Sequence, residues 1–566
     1  MGAFFTPPLL AKSMTEIAIN QYLTKQLNSL TSSTYTSLEE ILDTNDLSII
    51  QYLKEILIEV KILDGAAGDG VFLRACLMTI ISIKEEINQK LGVKKSNKDD
   101  IILEILLSNL FGMEIDSNVV ASCRKNLIAV VPKSMHASVN KTLSSNIIIG
   151  DFLKSTISNW VNLPPATKGF DIILGNPPWG GKLTQNQREH YYYKFKPKSP
   201  KRNLNTFSLF VYQAANLLTP NRGMLAYLLP KNVARSNQYI YLRKFLVTNF
   251  QILLINFHGL FKDVTQEFIS LIGLFKKVIP SNHIILVDDK NHIPQSSYLN
   301  NIDYIFTRDF DSQIQQLIRL IYENSSPLAH FLVVQRGEEL SKRGGIMFCS
   351  NCSEWVPLSS RKPQIICAKC YKSLSEKDLK TNMLIQKDST SHHTQPILTG
   401  DDFEAFSIKT THFIDPTIKF RSKKDPSIYR SPKIVVQKIK PYLCAAYDSD
   451  NYWTTQNVYS LKLVSEYTNN PDLLYYILSV LNSSLYRWFY QSQFNLGSKY
   501  TNAISIRNLR RLPLKKPDFK DPIFQQIVQL AKKITEDQTS KKDSIQVLNE
   551  LILQYYDCEI LPSSNI

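Results

Sequence analysis

Val60-Lys61-Ile62-Leu63-Asp64-Gly65-Ala66-Ala67-Gly68-Asp69-Gly70 runs a short apolar strand, Val60 to Leu63, straight into a turn of glycine and alanine, and an apolar-periodic helix opens at Val71. Backbone that passes close to a ligand needs side chains no larger than a methyl, and Gly65, Ala66 and Gly68 meet that need. The helix start beyond the turn adds the positive end of a dipole. Strand, small turn and helix together predict a parallel α/β sheet with a ligand crevice at its carboxyl edge.

The following strands fit that frame. Leu110 to Met113 ends in Glu114-Ile115-Asp116, where a carboxylate, Glu114, can accept both ribose hydroxyls of a nucleoside-containing cofactor. Glu114 lies farther on than the roughly twenty residues of a simple dinucleotide unit. An inserted helical connection, Ile81 to Leu107, accounts for the gap. Ile147 to Ile149 ends in Gly150-Asp151-Phe152-Leu153, where Asp151 can accept from an adenine amino group while Phe152 packs on the ring. The fourth strand runs from Asp171 through Gly175 into Asn176-Pro177-Pro178-Trp179-Gly180-Gly181. Asn176 offers a side-chain carbonyl, and the Pro177 carbonyl meets no following amide N–H because residue 178 is proline. Two acceptors can therefore face one exocyclic amine, with Trp179 as a flat surface for a planar base. Further β-like runs at Met224 to Leu229, Ile252 to Phe257 and Phe268 to Phe275 predict a sheet of about seven strands, with a helix over Thr206 to Leu218.

At 566 residues, 43% apolar, the chain is long enough for about three or four folded units, and its formal charge of +16 suits a polyanionic partner. It shows neither a signal-peptide core nor an apolar run of membrane-spanning length, so a cytoplasmic location is expected. Eight cysteines do not suggest a disulfide scaffold. Four of them, Cys349, Cys352, Cys367 and Cys370, form C-x2-C-x14-C-x2-C, the spacing of a structural Zn2+ site whose four thiolates leave no open position. His392 and His393 read as loop residues. The run from His190 to Arg202 carries Lys194, Lys196, Lys198, Lys201 and Arg202 and is read as a loop that contacts DNA phosphates.

On Phe4-Phe5-Thr6-Pro7-Pro8, the glycine-rich turn and Asn-Pro-Pro-Trp, in that order, residues 1 to about 280 resemble the gamma-class S-adenosylmethionine-dependent adenine-N6 DNA methyltransferases of restriction–modification systems. The resemblance implies a Rossmann-like methyltransferase domain over 1–280. It further implies that Phe5, Thr6 and Pro7 fold over the methionine part of S-adenosylmethionine. Asp64, Gly65, Ala66, Gly68, Glu114, Ile115, Asp151, Phe152 and Asn176 would complete the cofactor site. Asn176, Pro177, Pro178 and Trp179 would hold the target adenine, with Phe261 as a second aromatic against it. Trp179 stands where the family usually has tyrosine or phenylalanine.

Downstream, Val334 to Leu340 and Pro396 to Phe403 bracket the cysteine ribbon as an insertion. A strand at Lys433 to Gln437, a helix at Asp472 to Gln491 containing Leu481-Asn482-Ser483-Ser484, and Asn508 to Pro513 resemble a TaqI-like C-terminal specificity domain. The expected division is a connecting segment and the start of the target-recognition domain over 281–345, a zinc ribbon 346–375, and the mixed α+β target-recognition domain with its C-terminal helices over 376–566. Basic clusters at Arg421 to Lys440 and Arg507 to Lys520 suit a surface facing duplex DNA. The activity this implies is methyl transfer to adenine N6 in DNA, the alternative being the same chemistry on RNA or a protein glutamine. Any restriction endonuclease partner is expected as a separate chain.

Overall fold

The computed structural model describes residues 6–93, 98–181, 183–196, 204–259, 267–276, 278–308, 312–339, 345–357, 365–367, 370–374, 382–383, 385–417, 425–494, 503–537 and 541–558. Phe5, Lys198, Lys201, Arg202 and Phe261, each given a role above, lie outside the described residues. The chain divides into two compact units, Met1–Phe310 and Asp311–Ile566.

The first unit is built on β1 (Ile62–Asp64), β2 (Leu110–Glu114), β3 (Ile147–Ile149), β4 (Ile172–Gly175), β5 (Met224–Pro230), β6 (Phe250–His258), β7 (Phe268–Phe275), β8 (Ile284–Val287) and β9 (Asn291–Pro294). They form one mixed sheet in the order β3-β2-β1-β4-β5-β7-β6-β8-β9. β1 to β5 are parallel, and β7 runs antiparallel between β5 and β6. The sheet has nine strands where the sequence suggested seven. The β8–β9 hairpin adds to β6 through Leu254 and Ile255, so the unit runs past residue 280.

Residues of the central strands alternate between two cores. Ile172 and Leu174 of β4, with Met224, Ala226 and Leu228 of β5, join one cluster, and Ile173, Leu225, Tyr227 and Leu229 join the other. A sheet buried on both faces needs unbroken apolar strands, which is why these read as continuous runs. The first face is covered by α1 (Pro8–Thr31), α2 (Leu38–Leu42), α3 (Leu47–Glu59), α4 (Val71–Lys90), α5 (Lys98–Ser108), α6 (Ser117–Ile128) and α7 (His136–Asn146), all of which contribute buried apolar residues to that cluster. The other is covered by α8 (Gln185–Phe195), α9 (Thr206–Leu217), α10 (Ile240–Asn249) and α11 (Gln295–Asn300). The inserted connection between β1 and β2 consists of α4 and α5.

In the second unit an antiparallel sheet orders Leu332–Arg336, Val458–Leu463, Lys433–Gln437 and Ala445–Asp448. Helices at Asp472–Asn482, Ser484–Phe494, Pro522–Glu536 and Lys541–Tyr555 share its core. The single helix expected from Asp472 to Gln491 breaks at Ser483, for a local reason. Asn482 gives its amide to Ala445, bonding both the N–H and the carbonyl of that residue, and the Ser483 hydroxyl caps the next helix by accepting the Tyr486 N–H. Lys433, counted above in a basic cluster, is not a surface residue: its side chain is fully buried and paired with Asp448. Residues 421–424 of that cluster lie outside the described residues. In the second basic cluster, Arg510 donates to the Val334 carbonyl and Lys515 to that of Tyr555.

Candidate active site

Parallel pairing brings the carboxyl ends of β1, β2, β3 and β4 to one edge of the sheet, each ending in a polar group. Asp64, the last residue of β1, is 1% exposed, and its Oδ1 accepts the Ala66 N–H at 3.0 Å. Burial, with Glu114 nearby, pushes this carboxyl up to about 7. Gly68 (φ +54°) and Gly70 (φ +90°) give the turn a left-handed backbone that larger residues resist. The Glu114 carboxylate straps this turn to β2, since one oxygen accepts the Gly68 N–H at 3.2 Å and the other that of Ile115 at 2.8 Å. Ile115 beside it is 71% exposed.

Asp151 caps the short helical turn after β3 by accepting the Leu153 N–H, and its second oxygen accepts the Tyr191 hydroxyl at 3.1 Å. Burial and this carboxylate push the Tyr191 hydroxyl up to about 12. Phe152 does not present a free face as expected. Its ring is buried, 4.8 Å from that of Phe210, and lies so close beneath Gly65 that a β-carbon there would come within 2.5 Å of it. Exposed apolar side chains at this edge among the described residues include Ile115 and Ile149.

Asn176 follows β4. Its Nδ2 donates to the Thr6 hydroxyl at 3.2 Å, while its Oδ1 is buried without a hydrogen-bond partner. Such an acceptor is costly to leave unmade and is a candidate ligand contact. Pro177 is buried and Pro178 exposed. Trp179 is half-buried, with its indole N–H on the Leu228 carbonyl at 3.3 Å and its ring 6.0 Å from Phe268. The loop is held at its far end by Thr206, whose hydroxyl donates to the Gly181 carbonyl at 3.0 Å. Pro7 caps α1 by accepting from Leu10 and Ala11, and Thr6 directly precedes that cap.

The run expected as a loop from His190 is helical as far as Phe195. Thr184 and Gln187 cap one another reciprocally and start α8, and the apolar face of that helix buries Tyr191. Lys194 does not project freely: its ammonium donates to the Leu153 carbonyl at 2.5 Å. Lys196, in the left-handed residue that ends α8, is exposed. Sequence reasoning also missed a group that the sheet pairing gathers at this edge. Pro230 and His258 both face Phe268, which brings the Lys231–Glu267 ion pair, 2.9 Å, and His258, stacked 4.8 Å from Phe268, to one place. No local pattern announces it, because it depends on the antiparallel insertion of β7.

In the second unit, two hairpins, Gly345–Cys349 with Glu354–Pro357 and Ile365–Ile366 with Ser373–Leu374, bring the cysteine pairs together. The four sulfurs lie within 4.8 Å of one another, with Cys349–Cys370 at 3.6 Å and Cys352–Cys367 at 3.9 Å. A tetrahedral shell of Zn–S bonds of about 2.3 Å places sulfurs about 3.8 Å apart, so the cluster fits zinc.

Residues 108–261 match the model of the Eco57I restriction-modification methylase family, and residues 395–514 match the TaqI-like C-terminal specificity domain. The chain carries a restriction–modification methylase domain and a TaqI-like specificity domain. The methylase match spans Glu114, Asp151 and the Asn176 loop. The chain is 22% identical across 424 residues to the Methanocaldococcus jannaschii protein that bears the name RM.MjaORFECS2P. It is 24% identical across 407 residues to the type II restriction enzyme and methyltransferase RM.Eco57I of Escherichia coli. These alignments cover 70% and 63% of this chain but only 32% and 38% of the relatives, so the chain spans about a third of the length of the curated relatives it matches. The methylase and specificity domains share their fold with two solved structures. One is the type IIL restriction–modification enzyme MmeI in complex with DNA, with a TM-score of 0.59 at 13% identity over 93% of this chain and 73% of that one. The other is the DNA-bound type ISP enzyme LlaBIII, with a TM-score of 0.53 at 11% identity over 95% and 39%. No helix among the described residues is long and apolar enough to cross a membrane.

Proposed function

We propose that this chain is a site-specific DNA methyltransferase that modifies the N6 amino group of adenine in duplex DNA, using S-adenosylmethionine. The observation that carries the reading is the buried, unpartnered Oδ1 of Asn176 at the tip of β4. S-adenosylmethionine, when bound, supplies an electrophilic methyl group on a sulfonium. The residues at the sheet edge fit such a molecule. Gly65 and Gly68 give close backbone approach, Glu114 and Asp151 offer carboxylates for ribose hydroxyls and an adenine amine, Ile115 offers an apolar face, and Thr6 and Pro7 close from the N-terminal side.

An exocyclic adenine amine is a weak nucleophile, because its lone pair is delocalised into the ring. Asn176 Oδ1 and the Pro177 carbonyl each accept one of its hydrogens, drawing the nitrogen toward a tetrahedral geometry in which its lone pair is free to attack. Positioning and preorganised acceptors supply the rate, and no covalent enzyme intermediate is needed. The base must leave the duplex to reach this edge, and the half-exposed Trp179 indole gives it an apolar surface. A cytosine-C5 mechanism needs a thiolate nucleophile. Cys76 and Cys123 are both fully buried, and burial raises both thiols well above their ordinary range. The specificity domain and the net charge of +16 support DNA as the substrate. The four cysteines are proposed to hold a structural Zn2+.

The test is to incubate the protein with methyl-labelled S-adenosylmethionine and unmethylated genomic DNA, digest to nucleosides and identify the labelled species by mass spectrometry. N6-methyladenine, absent with Asn176→Ala, is the expected result. No labelled nucleoside despite cofactor binding would overturn DNA as the substrate and redirect the search to RNA or protein glutamine.

A further inference from the structure

We propose that Thr6 is a positioning residue that holds the Asn176 amide with its acceptor end toward the substrate. This rests on the methyl-transfer reading above. An asparagine side chain is nearly symmetric in shape but opposite in polarity at its two ends, so a half-turn about its last bond exchanges an acceptor for a donor. Only the acceptor end serves a substrate amine, whose hydrogens would repel the Asn176 NH2. The Thr6 hydroxyl takes the Nδ2 end at 3.2 Å, and the Oδ1 end is the one left buried and unpartnered. That contact holds the amide in the orientation that leaves its acceptor end for the substrate.

Thr6 is suited to this because it is itself held rigidly. It is only 9% exposed and precedes two prolines, Pro7 and Pro8, that restrict the backbone. Pro7 begins α1 by accepting from Leu10 and Ala11, and Ala11, Met14 and Ala18 of that helix share a core with Ile172 and Leu174 of β4. The hydroxyl and the amide it orients are therefore carried by elements packed together, although 170 residues separate them in the chain. A preorganised acceptor needs support of this kind from a neighbouring shell.

Thr6→Val keeps the shape and removes the hydroxyl, and Thr6→Ser restores it. The protein as it exists is assayed on genomic DNA with methyl-labelled S-adenosylmethionine, with Asn176→Ala alongside, and each variant is checked for unchanged thermal unfolding. At saturating cofactor, Thr6→Val is expected to lower kcat roughly 10- to 100-fold, as misplacement of a reacting group does, with KM for S-adenosylmethionine within about threefold of wild type. Thr6→Ser should recover most of kcat. If Thr6→Val raises KM alone and leaves kcat intact, Thr6 serves only to hold the cofactor and the proposal is overturned. Wild-type kcat in Thr6→Val also overturns it, while leaving the methyltransferase reading standing provided Asn176→Ala is inactive. If the wild-type protein transfers no methyl to DNA, it is the methyltransferase reading that fails, and the proposal falls with it. Should Thr6→Val unfold, Thr6→Ala and Thr6→Ser compared at equal folded concentration decide by the same split.

Discussion

Gly175 lies so close to the Asp64 carboxylate that a β-carbon on Gly175 would sit 2.6 Å from Oδ1. Its φ of +138° is also one that residues with a side chain rarely adopt. Both constraints act at the residue that delivers Asn176. Gly175→Ala is therefore expected to cost about 2–4 kcal/mol from steric overlap and backbone strain together. It should also abolish methyl transfer by displacing the Asn176 loop. Chemical denaturation and the labelled-methyl assay check this, and an alanine variant as stable and active as wild type would contradict the packing described.

Asp64 makes the stability of the first unit depend on pH. Its carboxyl titrates near 7 in the folded protein but near 4 in the unfolded chain, so between these values the folded state binds the extra proton. Stability from this group is fully present below about pH 4 and is lost as pH rises through about 7, at no more than about 1.4 kcal/mol per pH unit. Asp64→Asn, which cannot titrate, should flatten that part of the profile. Unfolding midpoints measured at intervals from pH 4 to 8 test it, and identical profiles for the two proteins would refute the shift.

The strand tips were legible because each strand of a two-sided sheet is a plain apolar run and each tip carries a single polar residue. Asp64, Glu114, Asp151 and Asn176 could be put in order without any knowledge of their contacts. What stayed hidden depends on pairings distant in sequence. The buried place of Phe152 is set by Gly65 and Phe210, and the gathering of Lys231, Glu267 and His258 is set by the reversal of β7. Composition misled over Lys433, whose charge suggested a surface and whose side chain is buried against Asp448.

Tyr191 joins α8 to the Asp151 turn through a single hydroxyl at 3.1 Å. Tyr191→Phe should cost about 1 kcal/mol of stability, the net worth of one hydrogen bond, while leaving the fold intact. Asp151→Ala should weaken S-adenosylmethionine binding at least tenfold, a loss of about 1.4 kcal/mol. Calorimetric titration of both variants separates the roles, and equal cofactor affinity in Asp151→Ala would remove that residue from the cofactor site.

The cysteine cluster predicts one tightly held zinc per chain. Cys367→Ser should lose the metal and increase proteolysis within residues 345–374, while cofactor affinity in the first unit stays within about twofold of wild type, since a structural site supplies local folding energy only. Metal analysis and limited proteolysis read this. A full complement of zinc in the variant would exclude Cys367 as a ligand.

Lys433 and Asp448 face one another across the last two strands of the second unit's four-stranded sheet with no exposed side-chain surface. The ammonium also donates to the Tyr429 carbonyl at 2.7 Å, and the carboxylate accepts from the Ser431 hydroxyl and the Asp450 and Tyr452 N–H groups. Removing one partner strands a charge in the core, so Asp448→Ala should destabilise this unit by about 3–5 kcal/mol. Replacing both, with Lys433→Met and Asp448→Leu, removes the stranded charge but leaves Ser431, Asp450 and Tyr452 without their acceptor. The double variant should therefore fall between wild type and Asp448→Ala. Denaturant unfolding of the three proteins decides the matter: a double variant no more stable than Asp448→Ala would mean that the stranded Lys433 charge is not what destabilises Asp448→Ala.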